Sequence, residues 1–503
     1  MRESHSHGEE RTAKTISRRR FVEAAGTAGV VGLAGCSGDG GDGGSDGGDG
    51  TEGQTTGDSG DSGTTTVQWA IADAEREDSV LDAYKETLHN NGLSDDIELD
   101  FLKVPFDRSR DQYQRWFSSG RSKPDIIDMD TGWTLAFVAR DQLMNLSQEM
   151  PDIVNEMEGD YFEPVVKAGQ DFETGDQYAI PQFIDIAAMM YRKDWAEQAG
   201  YSPEENNWQT EGLSWSEFSQ VTKDIQDQQG VDYGFTTQGS VSQTLACCPF
   251  NEQITSWGGA YFGGRENLYG PVGDRPITVT EEPVVNSLKM MRRFMHGADD
   301  EHALQNDEFA ENITPTQVAT WQYDGSLNPF LDGNAVMHRN WGGFLPSTVE
   351  EHGTDKLGYM VLPYAQNAGS QYENMGVAGN SALGGWSYAV NKNTEEFEAV
   401  REVIRAAITD EFYATGFNTQ GNVPPKPSVL KSDAVRDSQF GPYVDTFVES
   451  ASHVIPRPAS KVWLEEWSPI SENVNAAYRQ EKSPEQAMAD CEESLEAIEQ
   501  QYA

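Results

Sequence analysis

Between Val67 and Phe101 the apolar period of the chain switches from two to about 3.6 and back. Val67-Gln68-Trp69-Ala70-Ile71-Ala72 is strand-like, Val80, Leu81, Tyr84 and Leu88 recur at helical spacing, and Ile97-Glu98-Leu99-Asp100-Phe101 alternates apolar with polar. Strand, helix, strand in that order opens an α/β fold with parallel pairing. Ligands of open α/β sheets collect beyond the carboxyl ends of the strands. The runs Asp73 to Glu77 and Asp130 to Trp133 follow strand-like segments and are therefore candidate contact loops.

The same periods continue downstream. Gln112 to Ser118 fits a helix, Pro124 to Asp130 a short buried strand, and Trp133 to Asp141 another helix. Tyr178 to Pro181 leads into an apolar extended run, Ile184 to Arg192, and Ser214 with Glu217 is a capping-box signature for the helix that follows. Val284 to Met295 is amphipathic, Phe397 to Ile408 is a helix, 333–338 leads into Arg339-Asn340-Trp341-Gly342-Gly343, and 356–363 and 383–390 are strand-like. Residues 468–502 are helical apart from a break at Ser483-Pro484. No repeat of 20–50 residues occurs, which argues against a solenoid or propeller. At 503 residues the chain exceeds the ~100–200 of one ordinary core, so it holds two or three domains or one bilobed unit.

Charge excludes more than it identifies. The 36 Lys+Arg against 83 Asp+Glu leave a net charge of -47, a field that repels nucleic-acid phosphates and anionic lipid headgroups. Twelve Trp, 18 Tyr and 21 Phe supply a core, so the acidity does not signal disorder. Residues 67–503 keep 72 acidic against 30 basic side chains, so the charge belongs to the folded body. Lysine is scarce, 14 against 22 arginines. An acidic, lysine-poor surface on a normal core resembles that of an extreme halophile's protein; the alternative is an acidic surface that binds a cation.

The first 35 residues read as a targeting segment. Ser17-Arg18-Arg19-Arg20-Phe21-Val22 resembles the twin-arginine export signal, and Ala24 to Gly35 is too short and glycine-rich to span a membrane. Leu33-Ala34-Gly35-Cys36 resembles a lipoprotein box, with the Cys36 thiol as lipid acceptor. Residues 37–66 contain 12 glycines in 30 and almost nothing to bury, a tether with a random-coil span of ~30 Å. The expected arrangement is a signal peptide at 1–35, a lipidated cysteine and tether at 36–66, and a body held outside the cell by its lipid alone. Of the remaining cysteines, Cys247 and Cys248 are adjacent; a long-range bond to Cys491 or, in preference, buried free thiols are expected rather than a bond between neighbours. No His/Cys cluster has metal-ligand spacing, and no cofactor is called for.

Four segments together carry a family resemblance: Pro124-Asp125-Ile126-Ile127; Tyr178-Ala179-Ile180-Pro181 through Tyr191-Arg192-Lys193-Asp194; Leu383-Gly384-Gly385-Trp386 through Val390; and Gly421-Asn422-Val423-Pro424-Pro425. In that order, behind a lipoprotein leader, they resemble the family 1 extracellular solute-binding proteins, the maltose- and trehalose-binding-like receptors of ABC sugar importers. The resemblance implies a periplasmic-binding-protein-like fold, two α/β lobes around a ligand cleft joined by a multi-segment hinge. Lobe one would comprise 67–183 and 361–415, lobe two 188–358 and 420–503, with crossings near 183–188 and 358–361.

Sugars present an apolar face and a rim of hydroxyls, so a site needs aromatic platforms with carboxylates, amides or arginine beside them. Carried over by position, the resemblance implies contacts from Asp130, Trp133, Asp185, Trp341, Gly385, Trp386 and Arg457, and from Glu77 among the early carboxylates. Trp257 is balanced between cleft and core. Packing alternatives exist for the others: a core place for Trp341 and Trp386, a hinge ion pair for Asp185, a helix start for Asp130 and Trp133, a surface ion pair for Arg457. Met129 stands where several members carry an aromatic, so ligand identity does not transfer.

The implied function is a lipid-anchored monomer that captures a di- or oligosaccharide and delivers it to a membrane permease driven by a cytoplasmic ATPase. One alternative keeps the fold and binds a glycerol phosphate or other polyol, for which Arg339 and Arg457 would supply charge. Another is a secreted glycosidase. Against that, no Asp/Glu pair sits in a hydrolase-like motif and the eight histidines form no catalytic or metal spacing.

Overall fold

The computed structural model describes residues 64–366, 372 and 375–502. The expected signal peptide, Cys36 and the tether as far as residue 63 lie outside the described residues. Among those described, ten strands form two sheets. The first takes β1 (Thr65–Ile71), β2 (Ile97–Lys103), β3 (Ile126–Asp130), β4 (Ala179–Asp185), β9 (Ala382–Val390) and β10 (Ile455–Pro456), in the order β10-β9-β3-β1-β2 with β4 also on β9. The second takes β5 (Ala187–Arg192), β6 (Tyr233–Thr236), β7 (Ala335–Trp341) and β8 (Leu357–Met360), in the order β6-β7-β5-β8.

The expected parallel opening is present: β1 pairs in parallel with β2 and with β3. The first strand begins at Thr65, two residues inside the expected tether, because Thr65 and Thr66 extend its register against Ile97 and Glu98. Antiparallel β9 then inserts between β3 and β4 and brings a late part of the chain into the first sheet.

The chain passes between the sheets at a single residue, buried Ile186, since β4 ends at Asp185 and β5 begins at Ala187. Two other segments close on that point. Ser381 accepts the Ala187 N–H at 2.8 Å, and the Val423 carbonyl accepts the Ile184 N–H at 2.9 Å. Alternation along β5 sends Ala188 and Met190 into one apolar cluster and Ala187, Met189 and Tyr191 into another. The first of these clusters runs from Val67 and Trp69 through Ile184 and Ile186 to Tyr359 and Phe447, so the crossing is itself packed core.

Two placements differ from the expected lobe bounds. Described residues just after 361 stay with the second sheet's side: Tyr364 and Ala365 bond to Leu213 and Ser256, and Gly379 bonds back to Leu362, while strand pairing with the first sheet begins at Ala382. Within 420–503, Ile455 and Pro456 pair in parallel with Ala382 and Leu383 at the edge of the first sheet. Local signals act as expected elsewhere. Ser214 and Glu217 form both arms of the capping box, at 3.3 and 3.1 Å, and the tail is two helices, Trp463–Tyr478 and Pro484–Gln500.

The cysteines correct the expectation. Cys247 and Cys248 are bonded to each other, and Cys491 is free and buried. Cys248 has φ -127° and ψ -83°, a break between the helices Gln243–Cys247 and Pro249–Ser256 that turns the neighbouring sulfurs together. No described helix is long and apolar enough to cross a membrane.

Candidate functional site

Strand register assembles half of the site. Asp130 ends β3 opposite Trp386 of β9, while on the other side of β9 Phe183 pairs with Trp386 and Asp185 with Gly384. Between them Gly385 has φ +133°, and a Cβ there would lie 2.5 Å from the Phe183 carbonyl oxygen. Only glycine lets β4 and β9 close up beside Trp386. The part of Gly385 is thus backbone shape, reinforced by the Thr131 N–H, which donates to its carbonyl at 3.1 Å.

Trp133 stands before the helix Thr134–Val138, and its ring meets Trp386 edge-on at 5.6 Å. Phe106, first residue of the helix Phe106–Ser118 and 42% exposed, meets Trp386 from another side at 5.8 Å. Arg457 follows β10 directly. Its Nη2 donates to the Asp130 carboxylate and, at 2.7 Å, to the Thr131 hydroxyl, while its buried Nε has no hydrogen-bond partner. Gly132 makes room for it: a Cβ there would lie 3.0 Å from the guanidinium carbon.

The second sheet supplies the opposite wall. β7 ends at Trp341, and Arg339, two residues earlier on the same face, lays its guanidinium 4.0 Å above that ring. Arg339 is already engaged. It donates twice to buried Glu252, at 2.7 and 2.5 Å, and to Gln238 at 3.1 Å. Tyr323 packs between Trp341 and Phe344, with centroids 5.8 and 6.5 Å away, and its hydroxyl lies 2.7 Å from that of Thr244.

The walls meet across the mouth. Trp133 Nε1 donates to Gln243 at 3.4 Å, and the Phe106 and Tyr323 rings lie 5.9 Å apart, edge to face. Burial dominates the electrostatics between them. It pushes Asp185 up to about 7, reinforced by the Asp130 charge and opposed by Arg457 and Arg339. Asp130 is raised by burial too, despite Arg457, and the Tyr323 hydroxyl is pushed up to about 12 by burial, against its bond to Thr244.

Of the expected contacts, Asp130, Trp133, Asp185, Trp341, Gly385, Trp386 and Arg457 therefore come together. Two do not. Glu77 is an exposed helix N-cap whose carbonyl accepts the Val80 N–H, and its side chain makes no cap bond. Trp257 stacks on Phe309 at 6.1 Å and packs into the second sheet's own core. Phe106, Gln243, Glu252 and Tyr323 join the site with no local motif to announce them; their placement depends on how helices seat across the sheets. Among the described residues no group of side chains has the makings of a metal site.

The model of the bacterial extracellular solute-binding protein family matches residues 80–440, and the chain belongs to that family. Its fold is shared with solved structures at low identity. Maltose-bound MalE3 of T. maritima is 23% identical, with a TM-score of 0.69 over 86% of this chain and 100% of that one. The GacH receptor of Streptomyces glaucescens, solved unliganded and with acarbose, is 18% identical, with a TM-score of 0.68 over 88% and 100%. A ribitol-bound solute-binding protein of Agrobacterium radiobacter is 15% identical, with a TM-score of 0.64 over 87% and 99%. Two mixed α/β sheets linked through a packed crossing are thus a periplasmic-binding-protein-like fold, in a family of binding proteins rather than enzymes.

Proposed function

We propose that the protein captures a neutral di- or oligosaccharide between its two walls and delivers it to an ABC permease driven by a cytoplasmic ATPase. The observation that carries this is a run of aromatic rings, Trp133, Trp386, Phe106, Tyr323 and Trp341, flanking two carboxyls whose neighbouring arginines are already paired. Ring faces suit the apolar side of a pyranose, and Asp130 and Asp185 suit its hydroxyls. Arg339 is held by Glu252 and Arg457 by Asp130, so each of these two arginines already has a carboxylate to balance its charge. That pairing weighs against a glycerol phosphate and leaves a neutral polyol as second reading, in keeping with the ribitol-bound structure.

Capture needs no chemistry on the solute, only closure about the segments 185–187, 379–382 and 421–423. The same reading makes the protein a monomer, exported by the twin-arginine route and held at the outer face of the membrane by a lipid on Cys36, with the 36–66 tether giving reach. The acidic surface is solvent adaptation to high salt.

A thermal-shift screen of the protein without its leader, in molar KCl, against sugars, polyols and phosphate esters tests this. A cognate sugar at a hundredfold excess over its dissociation constant adds ~2.7 kcal/mol of stability. Stabilisation by phosphate esters alone, or release of hydrolysis products, would overturn the sugar-receptor reading.

A further inference from the structure

The Cys247–Cys248 disulfide sits at a helix break on the second sheet's side of the cleft. It occupies the break between the helices Gln243–Cys247 and Pro249–Ser256, and both residues are buried. A bond between neighbours closes a small ring around the peptide that joins them, which removes backbone freedom at that one junction. Contacts of the cleft hang from both sides of it. On one side Gln243 receives the Trp133 indole N–H and Thr244 meets the Tyr323 hydroxyl. On the other Glu252 holds Arg339 and accepts the Ala382 N–H at 3.1 Å. A rotation at the junction shifts one set relative to the other.

We propose that this disulfide is the positioning element of the cleft, so that the bonded form is the ligand-competent form and the dithiol form is not. The proposal rests on the cleft being the solute site. Opening is a two-electron, two-proton reduction by an external dithiol. A reagent thiolate attacks one cysteine sulfur, the other leaves and takes up a proton, and the second reagent thiol then displaces the mixed disulfide. Two cysteine thiols and an oxidised reagent result. Of the other two cysteines, Cys36 carries the lipid in the proposed reading, and Cys491 does not compete, because burial pushes its thiol up to about 12 and little thiolate is present to exchange.

Three measurements on the full chain test the coupling. Iodoacetamide in denaturant without reductant labels Cys491 and spares Cys247 and Cys248. Amide exchange over residues 243–253 speeds up after dithiothreitol treatment, while the helix Pro484–Gln500 is unchanged. Maltotriose, followed by tryptophan fluorescence, binds the reduced protein about tenfold or more weaker, and by reciprocity raises the dithiothreitol needed for half-reduction by the same factor, a shift that a bond serving only stability would not show. Reoxidation by oxidised glutathione, which is reduced to two glutathione thiols as the bond re-forms, restores affinity, and the C247S/C248S double variant behaves as the reduced protein. Labelling of Cys247 or Cys248 without reductant overturns the proposal. So does an exchange pattern and an affinity indifferent to reduction. If maltotriose fails to bind the oxidised protein, the sugar reading is what fails, and the exchange measurement decides the redox coupling alone.

Discussion

Asp185 is the group through which pH acts on the cleft. Its value in the folded protein is pushed up to about 7, so its contribution to stability is present at low pH and is lost as pH rises from the ordinary carboxyl range to about 7. Binding runs the other way. Solute hydroxyls donate more strongly to a carboxylate than to a carboxylic acid, so capture favours the ionised form and releases the proton. Affinity therefore falls below pH 7, by up to about tenfold per unit for one linked proton, and Asp185→Asn flattens the profile. Calorimetric titrations at pH 6 and 8 check this, and a wild-type affinity indifferent to pH would remove Asp185 from contact with solute. The platforms predict a separate outcome: Trp386→Ala and Trp341→Ala each abolish sugar-induced fluorescence quenching and leave the thermal transition cooperative. Retention of wild-type affinity in both would remove the stacking role. These residues were legible because each stands at a strand end or the turn beside it. Phe106 and Tyr323 were not, since a lone aromatic at a helix start carries no sign of what it will face. Glu77 is an exposed helix cap, and counting from a strand does not fix what such a carboxylate faces.

At the scale of elements, the last helix is tied down by charge. Arg275 donates to Glu499 at 2.6 Å and to Glu466 at 2.5 Å, with all three side chains buried and the guanidinium 3.7 Å over the Phe262 ring. Burial pushes Glu466 up to about 7, Arg275 opposes it, and Glu499 adds to it. Two carboxyls sharing one buried arginine leave an uncompensated site if the arginine goes. Arg275→Met should therefore cost about 3–5 kcal/mol, read as a lowered midpoint in urea, with deficits largest above pH 7, beyond the value to which Glu466 is raised. An unchanged midpoint would mean that the ion cluster contributes nothing beyond packing. Capping is a smaller term: Ser214→Ala loses the bond to the Glu217 N–H, about 1 kcal/mol. Most elements were legible because period and caps are local. Ile455–Pro456 was not, being a strand of two residues recognised only by its partner, and the adjacent cysteines were misjudged because a helix break, not spacing, brings the sulfurs together.

At the scale of the whole molecule, the acid excess and the packed crossing pull in opposite directions. The body holds 72 acidic against 30 basic side chains, so most carboxylates have no cation to pair with and repel one another across the surface. The cluster that joins the lobes through Ile184, Ile186 and Met190 must hold them together against that repulsion. Salt decides the balance, because the screening length falls from about 10 Å at 0.1 M to about 3 Å at 1 M. Raising KCl from 0.1 to 2 M should therefore raise the melting temperature steadily, with KCl and NaCl equivalent, and the sugar's dissociation constant should change far less, since both cleft arginines are already paired with carboxylates at hydrogen-bond distance. The competing account, an acidic surface built to bind a cation, predicts a different curve: saturable stabilisation by millimolar calcium or magnesium and little further gain from molar KCl. Differential scanning calorimetry across both titrations separates the two, and a plateau reached in millimolar divalent salt would reassign the charge from solvent adaptation to a binding role.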